Sequence, residues 1–340
     1  MKRTLTTVLP LLAVVAAVAL VWFGNIDNDR SIQLLNVSYD PTRELFQDLN
    51  RQFVSKYERE TGRKVTIKQS HGGSSNQARA VINGLEADVV SLALPSDIEL
   101  LRRGGLISDG WVDRLPNHSQ PYTSMIVFVV RKGNPKGIKD WPDLVRPDVS
   151  VITPNPKTSG NGKLSLLAAW GSIIYRGGTE EKARDYLRRL YQNVPVLGTG
   201  ARDSTITFTQ DKIGDVHLTW ENEARFEIED SQDELEIVYP SVSIRAEPSV
   251  AWVDRNTEHR NATGYAKAYL EFFYSRPAQE TMARYGYRPF DPAVLQEYAS
   301  RLPVVPLFPI TLIAKDWDDA QQKFFSDNGV FDSIRTSPAK

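Results

Sequence analysis

From residue 31 onward the chain alternates short strand-like runs with helical periodicity, and that alternation restricts its fold more than any other feature. Residues 32–37 and 65–69 read as strands, and 88–94 as a buried strand. Helical patterns lie between them at 43–60 and 76–85. In the first, Leu45, Phe46, Leu49, Phe53 and Tyr57 recur at helical spacing, and Thr42 stands where a cap belongs. A β-α-β-α-β order predicts a largely parallel sheet with helices on both faces. The apolar run at 125–131 ends at the turn-forming Gly133-Asn134-Pro135. A second series follows, with strands at 149–152 and 215–219, a short segment at 194–197, and helices at 163–175 and 180–191. Residues 236–239 and 250–253 return to strand character before helices at 264–274 and 279–285. The expected fold class is therefore α/β in two lobes, 31–121 plus 249–340 and 122–248, connected by chain crossings near 121–131 and 236–253. The ligand is expected in the cleft between them, because ligands of open α/β sheets sit beyond the carboxyl ends of the strands.

Composition closes off several function classes. The 340 residues carry 41 Lys plus Arg against 42 Asp plus Glu. Nucleic-acid binding is disfavoured, since it usually needs a basic excess to displace counterions. The chain has no cysteine, which excludes disulfides, thiolate metal sites, a cysteine nucleophile and a lipidated N-terminal cysteine. Only four histidines remain for metal chemistry, and no second His, Glu or Asp stands at metal spacing from His71, so neither metal nor cofactor is expected.

At the N-terminus Lys2 and Arg3 precede an apolar run from Leu5 to Phe23, the pattern of an export signal. Ala17-Val18-Ala19 has the composition of a cleavage site, yet Leu20, Val21, Trp22 and Phe23 continue the run beyond it. Roughly 20 apolar residues span a bilayer, so residues 1–30 serve either as a signal peptide or as a retained membrane anchor. Both carry the remainder across a membrane, either released or tethered there.

Three strand-to-helix junctions share a composition suited to anions. They are Ser70-His71-Gly72-Gly73-Ser74-Ser75, Thr158-Ser159-Gly160-Asn161-Gly162, and Gly198-Thr199-Gly200-Ala201-Arg202-Asp203-Ser204-Thr205. Each sets Gly and hydroxyl residues at a helix start, where backbone N–H groups lack partners and the helix dipole is positive. One such junction alone is usually an N-cap and a turn, but three in one chain form a constellation. His71 reads as a packing or capping residue. Phosphate motifs fail: Gly160-Asn161-Gly162-Lys163 lacks the earlier glycine of a Walker A loop and is followed by Leu164, and Asp203 stands where a dinucleotide fingerprint needs Gly or Ala. No G-x-S-x-G elbow surrounds Ser74, which is followed by Ser75 and Asn76.

Longer strings carry a family resemblance: residues 34–45 (LLNVSYDPTREL), 69–74 (QSHGGS), 81–94, 114–141, 152–162 (ITPNPKTSGNG), 167–171 (LAAWG), 199–205 (TGARDST) and 213–224 (IGDVHLTWENEA). In these the chain resembles the periplasmic sulfate-binding proteins of sulfate ABC transporters. The resemblance implies a type II periplasmic binding protein fold, closure on one dehydrated sulfate, delivery to a membrane permease, and action as a monomer without catalysis. Matched motif by motif, the implied donors are the N–H of Ser74, the N–H and hydroxyl of Ser159, the N–H groups of Gly160 and Asn161, the N–H of Ala201, and the indole of Trp220. Asp40 and Arg202 are implied as supporting residues behind them. A lone Trp beside a strand otherwise reads as core. Asn161, where many sulfate binders have a second Gly, also resembles the sister thiosulfate-binding proteins, whereas Gly72-Gly73 and Trp220 favour sulfate. Molybdate and tungstate are less favoured. The contrasting class is a sulfatase- or phosphatase-like hydrolase with Ser74 or Ser159 as nucleophile, which would need a nearby base or metal.

Overall fold

A computed structural model describes residues 31–232 and 234–336; the N-terminal apolar run lies outside them. Strand β1 (Ile32–Tyr39), helix α1 (Arg43–Thr61), β2 (Val65–Gly72), α2 (Ser74–Ile82), β3 (Val89–Leu92) and α3 (Pro95–Arg103) follow in order. β1 pairs in parallel with both β2 and β3, so the ends of all three strands that lead into helices point the same way. Thr42 does not cap α1 with its side chain, contrary to expectation. A 3-10 turn, Asp40–Thr42, intervenes, and the Thr42 hydroxyl donates to the Tyr39 carbonyl at 2.7 Å.

After β4 (Tyr122–Thr123) the chain crosses into a second sheet. That sheet is built by β5 (Ile126–Arg131), β6 (Val151–Pro154), β7 (Leu197–Gly198), β8 (Val216–Trp220) and β9 (Leu235–Val238), in the order β7-β6-β8-β5-β9. Helices α4 (Gly160–Tyr175) and α5 (Glu180–Gln192) lie between β6 and β7, α6 (Ala201–Thr209) between β7 and β8, and α7 (Glu221–Asp230) after β8. β6 runs parallel to β7 and β8, while β5 is antiparallel to β8 and β9. The chain returns through β10 (Ser243–Ile244) to β11 (Ser249–Trp252), which joins the first sheet antiparallel to β3. The two crossings touch where Ser124 and Ala246 exchange backbone hydrogen bonds of 3.2 and 2.9 Å. Helices α8 (Thr263–Phe272) and α9 (Arg276–Arg284) then cover the first sheet, and β12 (Arg288–Pro289) pairs antiparallel with β4.

The C-terminal residues depart from the expected division. β13 (Leu307–Phe308) pairs with β10, and Phe308, Ile310, Trp317, Phe324 and Phe331 share one buried cluster with Trp170, Tyr186 and Leu187 of α4 and α5. Residues beyond about 307 therefore pack on the second sheet rather than the first. α4 accepts them because it is apolar around most of its circumference, so a helix on one face and the C-terminal segment on the other both find a hydrophobic surface. The attachment is tight at Gly171, where a Cβ would fall 2.1 Å from the Phe308 ring. Replacing Gly171 by Ala is expected to cost about 1–3 kcal/mol of stability in denaturant unfolding, the usual penalty of overpacking. A loss well below that would show the segment to be loosely held.

Candidate functional site

The site begins with geometry that parallel strands impose. β2, β6 and β7 each run into a helix, and the three helix starts meet. α2 has Gly73 at its N-cap and α6 has Gly200, neither closed by a side-chain cap. α4 is capped by Ser159, whose hydroxyl accepts from the Gly162 N–H at 3.4 Å. At such starts the first N–H groups have no acceptor within the helix.

Glycines at these junctions are required by space. A Cβ at Gly73 would lie 2.5 Å from the Thr158 carbonyl oxygen and 3.2 Å from that of Thr199. One at Gly160 would lie 2.3 Å from the Ala93 Cβ and 3.3 Å from the Ser74 Cβ, and one at Gly200 would lie 2.3 Å from Asp40 Oδ2. The first junction, on one sheet, thus interdigitates with the second and third, on the other. Ser74, Ser159, Gly160, Asn161 and Ala201 are brought together at this meeting point, all of them buried.

Trp220 ends β8 at the N-cap of α7 and is completely buried. Its ring packs 5.4 Å from that of Tyr39 on the opposite sheet. Its indole N–H has no partner. Burying an unpaired donor costs about 1–3 kcal/mol, so this group marks a place where an acceptor belongs.

One expected donor, the Ser159 N–H, is already used, and so is the Ser74 hydroxyl, which was not among the expected donors. The Ser159 N–H donates to the Asn155 carbonyl at 3.0 Å, leaving Ser159 its hydroxyl hydrogen to offer. The Ser74 hydroxyl donates to Asp97 Oδ2 at 2.6 Å and accepts from the Ala93 N–H at 3.0 Å, so only the Ser74 main chain remains. Asp97 and Lys163 were not visible as site residues in the sequence. Asp97, in the first turn of α3, also accepts from Ser75 at 3.0 Å and pairs with Lys163 Nζ at 2.9 Å across the cleft, both side chains being buried. The sequence shows only an Asp after a Pro-Ser pair, which reads as a surface cap.

Arg202 is likewise committed. Arg202 bonds Glu44 of α1 at 2.6 Å and pairs through Nε with Glu223 Oε2 at 2.9 Å. Burial pushes the Glu223 carboxyl up to about 8 against the opposing pull of Arg202. Asp40 is also raised by burial, with Arg43 and Arg202 opposing. His71 accepts or donates at Nδ1 to the Ser38 hydroxyl at 2.8 Å, and burial followed by Arg43 and Arg202 lowers its pKa to about 4. Among the described residues no group of three His, Cys, Asp or Glu side chains could hold a metal ion.

A two-lobed α/β fold whose interlobe cleft gathers helix starts and an unpaired indole defines a receptor for a small solute. The chain belongs to the bacterial extracellular solute-binding protein family, whose model matches residues 38–288. It is 50% identical over 307 residues to a sulfate-binding protein of Escherichia coli, covering 90% of this chain and 93% of that one. A thiosulfate-binding protein of Pseudomonas aeruginosa is 47% identical over 303 residues, covering 88% and 91%. The solved sulfate-binding protein SubI of Mycobacterium tuberculosis superposes with a TM-score of 0.80 at 31% identity, covering 87% of this chain and all of that one. The architecture is that of type II periplasmic binding proteins.

The low pKa of His71 has a measurable consequence. Between about 4 and the ordinary value of 6.5, the unfolded chain binds a proton at this position that the folded chain does not. Folding stability should therefore fall as pH drops through that window, and His71→Gln should flatten this part of the decline in denaturant unfolding series. An unchanged slope would contradict the neutral, partly buried histidine.

Proposed function

We propose that this protein captures sulfate in the interlobe cleft and delivers it to the membrane permease of an ABC importer. The observation that carries the reading is the completely buried, unpartnered indole N–H of Trp220, whose ring packs on Tyr39 across the cleft that three helix starts line. The proposed donors are the N–H groups of Ser74, Gly160, Asn161 and Ala201, the Ser159 hydroxyl and the Trp220 indole. Asp40 and Arg202 support them from behind.

An indole N–H can only donate. A fully ionised sulfate can only accept, so the match is complete. A protonated phosphate would need an acceptor for its own O–H, and leaving that group unpaired costs about 1–3 kcal/mol. Hydrogen bonds to a charged group contribute roughly 1.5–3 kcal/mol each, and half a dozen exceed the ~8 kcal/mol of a micromolar complex once ordering costs are subtracted. The names of the relatives at 49–50% identity support sulfate, and the thiosulfate-binding relatives at 47% and 41% keep the neighbouring sulfur oxyanion as the second ligand. The lobes, 31–121 with part of the C-terminal half and 122–248 with the segment beyond 307, are proposed to close on the ligand about the Ser124–Ala246 crossings.

A receptor role without catalysis fits the serines. The Ser74 hydroxyl is held by Asp97 and the Ala93 N–H, and the Ser159 hydroxyl accepts from Gly162. The nearby His71 bonds Ser38 instead.

Calorimetric titration of the purified protein is expected to show one sulfate bound with micromolar or tighter affinity and no heat with phosphate near neutral pH. Trp220→Phe should weaken sulfate by about tenfold, the loss of one hydrogen bond to a charged ligand. No binding of sulfate would overturn the proposal, and unchanged affinity in the Trp220 variant would return that residue to the core.

A further inference from the structure

Asn161 has a side chain that the ligand does not need, and its partners are specific. The residue is 2% exposed. Its Nδ2 donates to the Leu218 carbonyl at 3.2 Å, and its Oδ1 accepts from the Ser165 hydroxyl at 3.3 Å, which fixes the amide's orientation. Leu218 lies in β8, two residues before Trp220.

The reason that carbonyl needs a side chain lies in the β6–β8 ladder. The strands are parallel, with Val151 opposite Val216 and Ile152 opposite His217, and the Val216 N–H donates to the Ser150 carbonyl. Parallel pairing alternates, so the next group facing the Leu218 carbonyl is the nitrogen of residue 154. That residue is Pro154, which has no N–H to give. The other neighbour does not replace it: the Glu221 N–H donates to the carbonyl of Met125, just before β5, so 217, 219 and 221 face β5 while Leu218 faces β6. Pro154 opens a gap in the ladder one strand away from Trp220, and the Asn161 amide fills it.

We propose that the Asn161 side chain is a positioning residue that fixes the distance between the α4 helix start and the Trp220 indole, and thereby sets which size of tetrahedral dianion fits. The inference rests on the functional reading above. Donors held at a fixed separation favour one anion size, while a loosened separation admits larger ones at the expense of the smaller. The substitution leaves the main-chain N–H of residue 161 in place, so its effect reports on the side chain.

The test is calorimetry with sulfate and with molybdate, a larger tetrahedral dianion, on the unaltered protein and Asn161→Ala. Sulfate affinity is expected to fall about tenfold, the effect of an unsatisfied buried carbonyl, with molybdate changing less than about twofold, so the sulfate-to-molybdate ratio narrows. Pro154→Ala added to Asn161→Ala returns an N–H to the ladder and should recover most of that ratio, which a merely destabilised protein would not do. If Asn161→Ala does not fold, Ser165→Ala, which frees the amide, should narrow the ratio in the same direction. An unchanged ratio in the single variant, or no recovery in the double variant, overturns the inference. Absence of sulfate binding in the unaltered protein overturns the functional reading itself.

Discussion

Everything in this molecule is arranged around donors that the protein leaves unpaired. Parallel strands deliver helix starts to a common edge, and a helix start necessarily carries N–H groups without intrahelical acceptors. Two sheets facing each other bring three such starts together, and they can approach only because Gly73, Gly160 and Gly200 have no Cβ to collide with the opposite lobe. The buried, unpaired indole N–H of Trp220 is the further donor proposed for that surface. An anion is the one kind of ligand that removes the cost of all these groups at once.

Charge plays a different part from the one a near-neutral composition would suggest. Two cations near the cleft pair with carboxyl groups: Lys163 with Asp97, and Arg202 with Glu44 and Glu223. Two of these pairs join residues of opposite lobes. The Lys163–Asp97 pair is buried, and bringing such charges together across a closing interface rewards one closed geometry and penalises near misses, because an uncompensated buried charge is costly. Asp97 also holds the Ser74 and Ser75 hydroxyls, so the pair that joins the lobes also fixes the first turn of α2. The attraction for a dianion thus comes from dipoles, while the ion pairs hold the walls in register.

Much of this was legible in the sequence. The alternation of periods 2 and 3.6 fixes the α/β class, and the Gly and hydroxyl content of the junctions at Ser74, Ser159 and Ala201 marks the helix starts, because both signals are local. What was not legible depends on distance in space. Asp97 and Lys163 lie 66 positions apart, and nothing in either local string announces a buried pair. The engagement of the Ser159 N–H by Asn155 follows from the turn at Asn155-Pro156, and Thr42 loses its capping role to a 3-10 turn that periodicity cannot see. The C-terminal segment was placed with the wrong sheet because its apolar residues show what must be buried and not against which surface. Trp220 enters as a proposed donor only through the resemblance, since a Trp closing a strand has the same local pattern whether its N–H faces core or ligand.

The central claim is that uncharged donors, and the Trp220 indole among them, hold the dianion. The most direct measurement is the indole N–H resonance of Trp220, assigned by its loss in Trp220→Phe and followed by NMR as sulfate is added. A new hydrogen bond to a dianion should move that proton downfield and slow its exchange with water. A resonance that stays in place at saturating sulfate would contradict the account.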